Sequence, residues 1–437
     1  MKTTRRIFLK SGAMALASVG VIPALGPEFL RRAVWAEEAQ PNGTGKPKTK
    51  TLVCIFLRGA VDGLSVIVPH GDPNYYKLRS VGAGGIAIAR TGGEGVVDLD
   101  GRFGLHPALS MLKPIYDAGH MGAIHAVGSP NPTRSHFDAQ DYMESAAPGN
   151  KGIRTGWLAR AMSVCPEDAR NGKIQTVSLT AQVPRSLDGD KDALAIPNLQ
   201  TFGIGTSGKA MPIGTGTGDT SGGFEALYAG AVGDVLHGAG RETFDAVKTL
   251  NGLDPARYRP AKGANYGRSP LAQSLQQIAQ LVKADLGLEV AFAETSGWDT
   301  HVGQGGAQGN LARRLGDLGQ ALAAFYTDLG DRMGDVTVLT MSEFGRTARQ
   351  NGDGGTDHGH GTCFLSLGGD VAGGKVLGDW PGLAPEQLND GRDLAVTTDF
   401  RRVFGEVAHK QLGVTDLKTV FPEFQLTTHD FRGVMKL

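Results

Sequence analysis

The chain alternates short apolar runs with longer segments of helical period. Leu52–Leu57 is apolar without a break, the pattern of a buried strand covered on both faces. Gly119–Val127, Ile174–Leu179, Glu289–Ala293, Val336–Met341 and Cys363–Leu367 are further short apolar runs and read as strands. Between them lie helical patterns. Ser135–Ala146 carries Asp138, Asp141 and Glu144 on a polar side, and Leu271–Leu286 and Phe400–Leu412 read as helices. From about Gly309 to Leu329, apolar Leu311, Leu315, Leu318, Leu322 and Phe325 recur at three- and four-residue steps. Strands alternating with helices predict an α/β fold with a mostly parallel central sheet flanked by helices. Residues 182–268 break this rhythm. Phe202–Gly223 is rich in Gly, Ser and Thr, and the stretches Phe224–Leu236 and Glu242–Asn251 are helical in pattern, so the region reads as a Gly-rich helical insertion or cap.

Chemistry-bearing residues gather where the apolar runs end. Gly297-Trp298-Asp299-Thr300-His301 follows one strand, Ser342-Glu343-Phe344-Gly345-Arg346 follows another, and Gly355-Thr356-Asp357-His358-Gly359-His360-Gly361 precedes a third. Asp62 sits between turn-forming residues just past the first strand. In open α/β sheets ligands bind at the carboxyl ends of the strands. Mixed carboxylates and imidazoles there are the donors of catalytic zinc sites, and paired ions can clamp both oxygens of a phosphoryl-type displacement. Asp62, Asp299, His301, Glu343, Asp357, His358 and His360 are therefore candidate ligands for one or two divalent ions such as zinc, manganese or calcium.

Ser129–Asp138 leads into a helix. Thr133 or Ser135 is a candidate N-cap, or a hydroxyl nucleophile beside helix-terminal N–H groups. His136 is a candidate ligand, proton donor or helix-terminus residue. Arg58, Arg134 and Arg346 suit either bidentate clamping of a phosphate or sulfate or pairing with the neighbouring carboxylates. His106 and His125 read as structural histidines, and Trp157 and Trp298 as packing or wall residues.

The N-terminus changes the setting. Thr4-Arg5-Arg6-Ile7-Phe8-Leu9-Lys10 followed by the mildly apolar Met14–Leu25 looks like a twin-arginine export signal, with cleavage expected after Ala36. The expected organisation is a signal peptide over 1–36, a linker over 37–50 and a single domain over 51–437, in a periplasmic or secreted protein handled by the twin-arginine export machinery. The apolar stretch is shorter than the ~20 residues of a spanning helix, and no transmembrane span is expected. Segment 1–36 holds six Arg/Lys and one Glu; removing them from 44 basic and 44 acidic residues leaves 38 and 43. That mildly acidic remainder has no strong basic block, which argues against nucleic acid as a partner. The abundant glycine, 65 of 437 residues, follows no Gly-X-Y period and marks turns instead of collagen. Cys54, Cys165 and Cys363 form no CxxC, and Cys54 and Cys363 read as buried small hydrophobes.

Taken together, Phe56-Leu57-Arg58-Gly59-x-x-Asp62-Gly63-Leu64, Arg134-Ser135-His136-Phe137, Thr155-Gly156-Trp157-Leu158-x-Arg160 and the three clusters resemble the exported "domain of unknown function 1501" family. That family is similar to a branch of the alkaline phosphatase–sulfatase superfamily. The resemblance implies an alkaline phosphatase-like fold and metal-dependent hydrolysis of a phosphate or sulfate ester, small or polymeric. A non-catalytic binding or assembly protein on the same fold is the alternative. Where the superfamily shows Asp-x-x-x-His this chain has Asp299-x-His301, and where it shows an adjacent Asp-His this chain has Ser342-Glu343. No sulfatase-type Cys/Ser-x-Pro-x-Arg motif is intact, so metal count and nucleophile stay open.

Overall fold

The computed structural model describes residues 49–166, 172–202, 204–206, 209–211, 249–250, 252–253 and 255–436. The expected signal segment, nearly all of the linker and the expected helices at Phe224–Leu236 and Glu242–Asn251 lie wholly or mostly outside these residues.

The centre is a nine-stranded sheet. Its strands are β1 (Thr51–Arg58), β2 (Met121–Gly128), β3 (Thr176–Ser178), β4 (Leu194–Ala195), β5 (Val290–Ser296), β6 (Val336–Met341), β7 (Thr362–Gly368), β8 (Val376–Leu377) and β9 (Thr398–Asp399). They lie in the order β8-β2-β7-β6-β1-β5-β3-β4, with β9 also on β2. β1 runs parallel to both central neighbours, with Cys54 opposite Phe292 of β5 and Leu339 of β6. β7 is antiparallel to β6 and to β2. The sheet is thus mostly parallel with one strand reversed. Part of the region read as a helical insertion joins the sheet, because β4 pairs in parallel with β3.

Alternation along β1 shows why its run is wholly apolar. Val53, Ile55 and Leu57 face one hydrophobic cluster, and Leu52, Cys54 and Phe56 face the other. The first cluster is closed by α3 (Pro270–Lys283) and α4 (Asn310–Leu329), whose Leu311, Leu315, Leu318, Leu322 and Phe325 are all buried. The second is closed by α2 (Trp157–Val164) and α5 (Phe400–Leu412), where Trp157 stacks on Phe404 at 4.5 Å between centroids. Helices therefore flank both faces, and α1 (His136–Ser145) follows the carboxyl end of β2. Cys54, Cys165 and Cys363 are free and buried. Among the described residues no helix is long and apolar enough to cross a membrane.

The reversal of β7 decides where chemistry can collect. β1, β2, β5 and β6 end at one edge, and β7 begins there. Loops after four strands and the loop before a fifth are thereby brought together. Contact between two of these loops is backbone on backbone: Gly345 N–H donates to His360 C=O at 2.8 Å and Gly359 N–H donates to Gly345 C=O at 2.8 Å. A Cβ on Gly345 would lie 1.9 Å from Gly361 O, an atom that cannot swing away. Gly345→Ala is expected to destabilise the protein at or beyond the upper end of the usual overpacking cost of about 1–3 kcal/mol. The urea midpoint checks this, with Gly334→Ala, where the added Cβ meets nothing within 4 Å, as the near-neutral comparison.

Candidate metal centre

Four side chains converge at this edge. Asp299 and His301 come from the loop after β5, His358 from the loop before β7, and His136 from the first turn of α1. His358 Nε2 lies 3.0 Å from both His136 Nε2 and His301 Nε2. Asp299 Oδ1 lies 3.0 Å from His301 Nε2 and 3.3 Å from His358 Nε2, and Asp299 Oδ2 lies 3.5 Å from His136 Nε2. Ligand atoms each about 2.0–2.2 Å from one ion sit about 3.0–3.5 Å from one another, so the spacing fits a single coordination sphere. His136, Asp299 and His358 form a possible metal-binding triad, and His301 adjoins it.

The outward nitrogens settle which atoms point inward. His358 Nδ1 donates to the carbonyl of Arg134 at 2.9 Å. His136 Nδ1 donates to Glu343 at 2.9 Å, and His301 Nδ1 donates to Asp357 at 3.1 Å. Metal-binding histidines have this arrangement, with the second nitrogen tied to a carboxylate or carbonyl that sets the tautomer. With each Nδ1 carrying a hydrogen, the neutral rings turn three Nε2 lone pairs toward one carboxylate. Such a group holds together around a cation, whether a proton or a metal ion.

Electrostatics of the surrounding groups agree. Burial opposes ionisation of Asp299, yet the hydrogen bond and charge of Arg346 outweigh it and hold the carboxyl below its ordinary value. Arg346, buried, reaches Asp299 Oδ1 at 2.5 Å and also binds Thr356. The hydrogen bond to Glu343 raises the pKa of His136, against the effect of partial burial. Burial, then the charges of His136 and Arg346, lower that of His358. Glu343 is fully buried; despite that burial, hydrogen bonds from His136, Gln140 and Gly59 N–H keep it ionised. The Asn351 amide leads the groups that hold Asp357 below its ordinary value. The cluster itself is open on one side, with side-chain exposures of 39% for Asp299 and 40% for His301.

The other candidates fall around this centre. Glu343 and Asp357 orient histidines. His360 turns away, its Nε2 donating to Ser129 C=O at 2.8 Å. Arg58 is engaged by Glu294, Glu144 and Gln140, and Arg134 by Asp393. Of the two readings of the arginines, pairing with carboxylates is what the structure shows. Ser135 is the N-cap of α1, accepting from Asp138 N–H, and Thr133 Oγ1 accepts from Ser135 N–H at 3.3 Å. His106 and His125 are buried structural residues, each pushed down to about 4 by burial.

Asp62 is placed in a separate buried pair. Its two oxygens take Arg79 Nη1 at 2.7 Å and Nη2 at 2.9 Å, with Ser65 Oγ at 2.6 Å and Gln304 Nε2 at 2.7 Å. Gln304 Oε1 accepts from Thr300 and Thr356, each at 2.8 Å, and Thr356 Oγ1 accepts from Arg346. Asp62 thus braces the centre through Gln304, Thr356 and Arg346. Arg79, Gln140, Gln304 and Thr356 were not singled out as site residues in the sequence. Gln140 had a signal, since it stands one helical turn after His136 on the same face. Arg79 and Gln304 had none, because their partners are distant in the chain.

Residues 223–423 match the model of a family described as "Protein of unknown function (DUF1501)", which supports the resemblance carried by the motifs. The match contains Asp299, His301, Glu343, Asp357 and His358, and His136 lies before it. No curated protein matches the chain.

Burial raises the Asp62 pKa, and Arg79 more than reverses this, leaving it below the ordinary value. A carboxyl with a depressed folded pKa stabilises above its unfolded value of about 3.9, and that contribution is lost as pH falls through the folded value. Arg79→Ala strands a buried carboxylate and should cost about 3–5 kcal/mol at neutral pH. In the variant Asp62 can relieve the penalty by taking a proton. The wild-type-minus-variant gap in unfolding free energy should therefore begin to narrow above the unfolded value of about 3.9, where the unpaired carboxyl of the variant takes its proton, and go on narrowing as pH falls toward the depressed wild-type value. Denaturant unfolding of both proteins across pH 3–7 (roughly the carboxyl range) measures it.

Proposed function

We propose that the protein is an exported metal-dependent hydrolase of a phosphate or sulfate ester, with one divalent ion held by His136, Asp299, His301 and His358. The observation that carries the reading is the convergence of three Nε2 atoms on one carboxylate, each imidazole tied from behind. Open exposure of Asp299 and His301 supports a working site over a sealed structural one. Resemblance to the alkaline phosphatase–sulfatase superfamily supports the reaction class, and the twin-arginine-like N-terminus supports a periplasmic or secreted location.

The donor set bears on the ion. Three imidazoles and a carboxylate suit zinc and related transition metals, whereas calcium takes oxygen ligands. Among the three ions expected, zinc fits best and calcium least. A bound ion of this kind supplies Lewis acidity toward an ester oxygen or a water. The residues of the chain set its surroundings: Glu343 and Asp357 fix the rings, and Arg346 keeps Asp299 ionised. The alternative, a non-catalytic binding or assembly protein, draws on a different observation. Arg58, Arg134 and Arg346 are all engaged by carboxylates, and Ser135 caps a helix.

Elemental analysis of protein from the exported fraction should find about one equivalent of zinc-like metal, and His358→Ala and Asp299→Asn should lose it. Because protons compete for Nε2, retention should fail as pH drops below about 6.5. An aryl phosphate and aryl sulfate panel should reveal turnover that a chelator removes and added zinc restores. Metal without turnover on any ester would favour the binding protein. No stoichiometric metal, with unchanged behaviour of both variants, would end the metal reading.

A further inference from the structure

The histidine that leaves the centre helps line a second cleft. His358 and His360 grip the two ends of one loop, His358 at the carbonyl of Arg134 and His360 at that of Ser129. Pro130 of that loop and His360 help line a cleft of about 390 Å³, together with Asn389, Asp399, Arg402 and Arg432, among others.

Charge in this cleft is unbalanced. Asp399 is consumed by Arg401, which meets both its oxygens, Nε at 3.0 Å and Nη2 at 2.6 Å. Arg402 and Arg432 have no carboxylate within hydrogen-bond distance of the guanidinium: Arg402 Nη2 is 3.8 Å from Asp430, whose charge is felt by both arginines, and Arg432 Nη1 is 4.0 Å from Asp379, which is 84% exposed. Neither pair is close enough for a hydrogen bond. Among the described residues Arg432 Nε has no hydrogen-bond partner, although it is buried. Two such guanidiniums on one concave surface contrast with Arg58, Arg134 and Arg346, each of which has a carboxylate within hydrogen-bond distance. Guanidinium forks match tetrahedral oxyanions geometrically, and each such contact is a charge-assisted bond.

We infer that this cleft is a second site, separate from the metal ligands, that binds a tetrahedral oxyanion, phosphate or sulfate, between Arg402 and Arg432. The anion is either free or borne by a larger molecule. The inference does not depend on the metal reading, because none of its residues is a proposed ligand.

Calorimetric titration of the full chain with inorganic phosphate, inorganic sulfate, methyl phosphate and acetate tests it. One equivalent of phosphate or sulfate should bind. Arg402→Gln and Arg432→Gln, made separately, should each weaken binding by about tenfold or more, while metal content and circular dichroism stay as in the wild type. His358→Ala should leave anion binding intact. Methyl phosphate binding as well as inorganic phosphate assigns the site to an esterified group, and weaker binding assigns it to the free anion. Acetate binding as tightly as either would overturn the tetrahedral assignment. The site itself is refuted if no anion binds, if both arginine variants bind like the wild type, or if His358→Ala abolishes binding.

Discussion

The buried Asp62–Arg79 pair is the constraint on which the edge of the sheet depends. Two ions without solvent are tolerable only if every polar atom is met, and here each is. Arg79 spends its remaining N–H groups on the carbonyls of Thr347 and Ala348, and Asp62 takes Ser65 and Gln304. One ion pair thereby ties the loop after β1 to the loops after β5 and β6. Gln304 then passes the constraint to Thr356 and so to Arg346, the residue that grips Asp299. The centre's geometry is set from behind by a network that reaches the converging side chains only at its last step, Arg346 to Asp299.

Backbone packing adds a second restraint. Gly59 has φ of +118°, and a Cβ there would lie 2.8 Å from Asp299 N. The loop after β1 therefore serves the site through its backbone, resting on Asp299 while Gly59 N–H donates to Glu343. Its carboxylate, Asp62, faces the other way. A turn rich in glycine around an acid suggested a ligand; the glycine was the part that approaches the site.

Much of this was legible in the chain. The apolar runs placed β1, β2, β5, β6 and β7 to within a few residues, and the leucine spacing placed α4, because burial on one or both faces writes itself into local pattern. Asp299, His301 and His358 were legible for the same reason: they stand where apolar runs begin or end. Strand direction was not legible. Nothing local distinguishes a reversed β7, yet only its reversal brings Asp357 and His358 to the edge where β5 and β6 end. Residue roles were likewise hidden. Glu343, Asp357 and Asp62 are all acids in strand-end loops, and which of them faces the centre depends on partners 50 to 300 residues away, such as His301, His136 and Gln304.

Charge balance bears on the number of ions. Around the converging histidines stand three carboxylates, Asp299, Glu343 and Asp357, and one guanidinium, Arg346. Three negative charges and one positive leave a net of −2 when the rings are neutral. One divalent cation cancels this. A second would need further carboxylate at the same point, and other acids on these elements are engaged elsewhere: Asp62 by Arg79, and Glu294 and Glu144 by Arg58. Glu343, buried and bonded to His136, Gln140 and Gly59, has no oxygen turned to solvent. The same tally accounts for the raised pKa of His136, the ring whose hydrogen bond to Glu343 and nearby negative charge favour its protonated form. If the centre holds metal as proposed, a single divalent cation is the occupancy that this balance of charges favours.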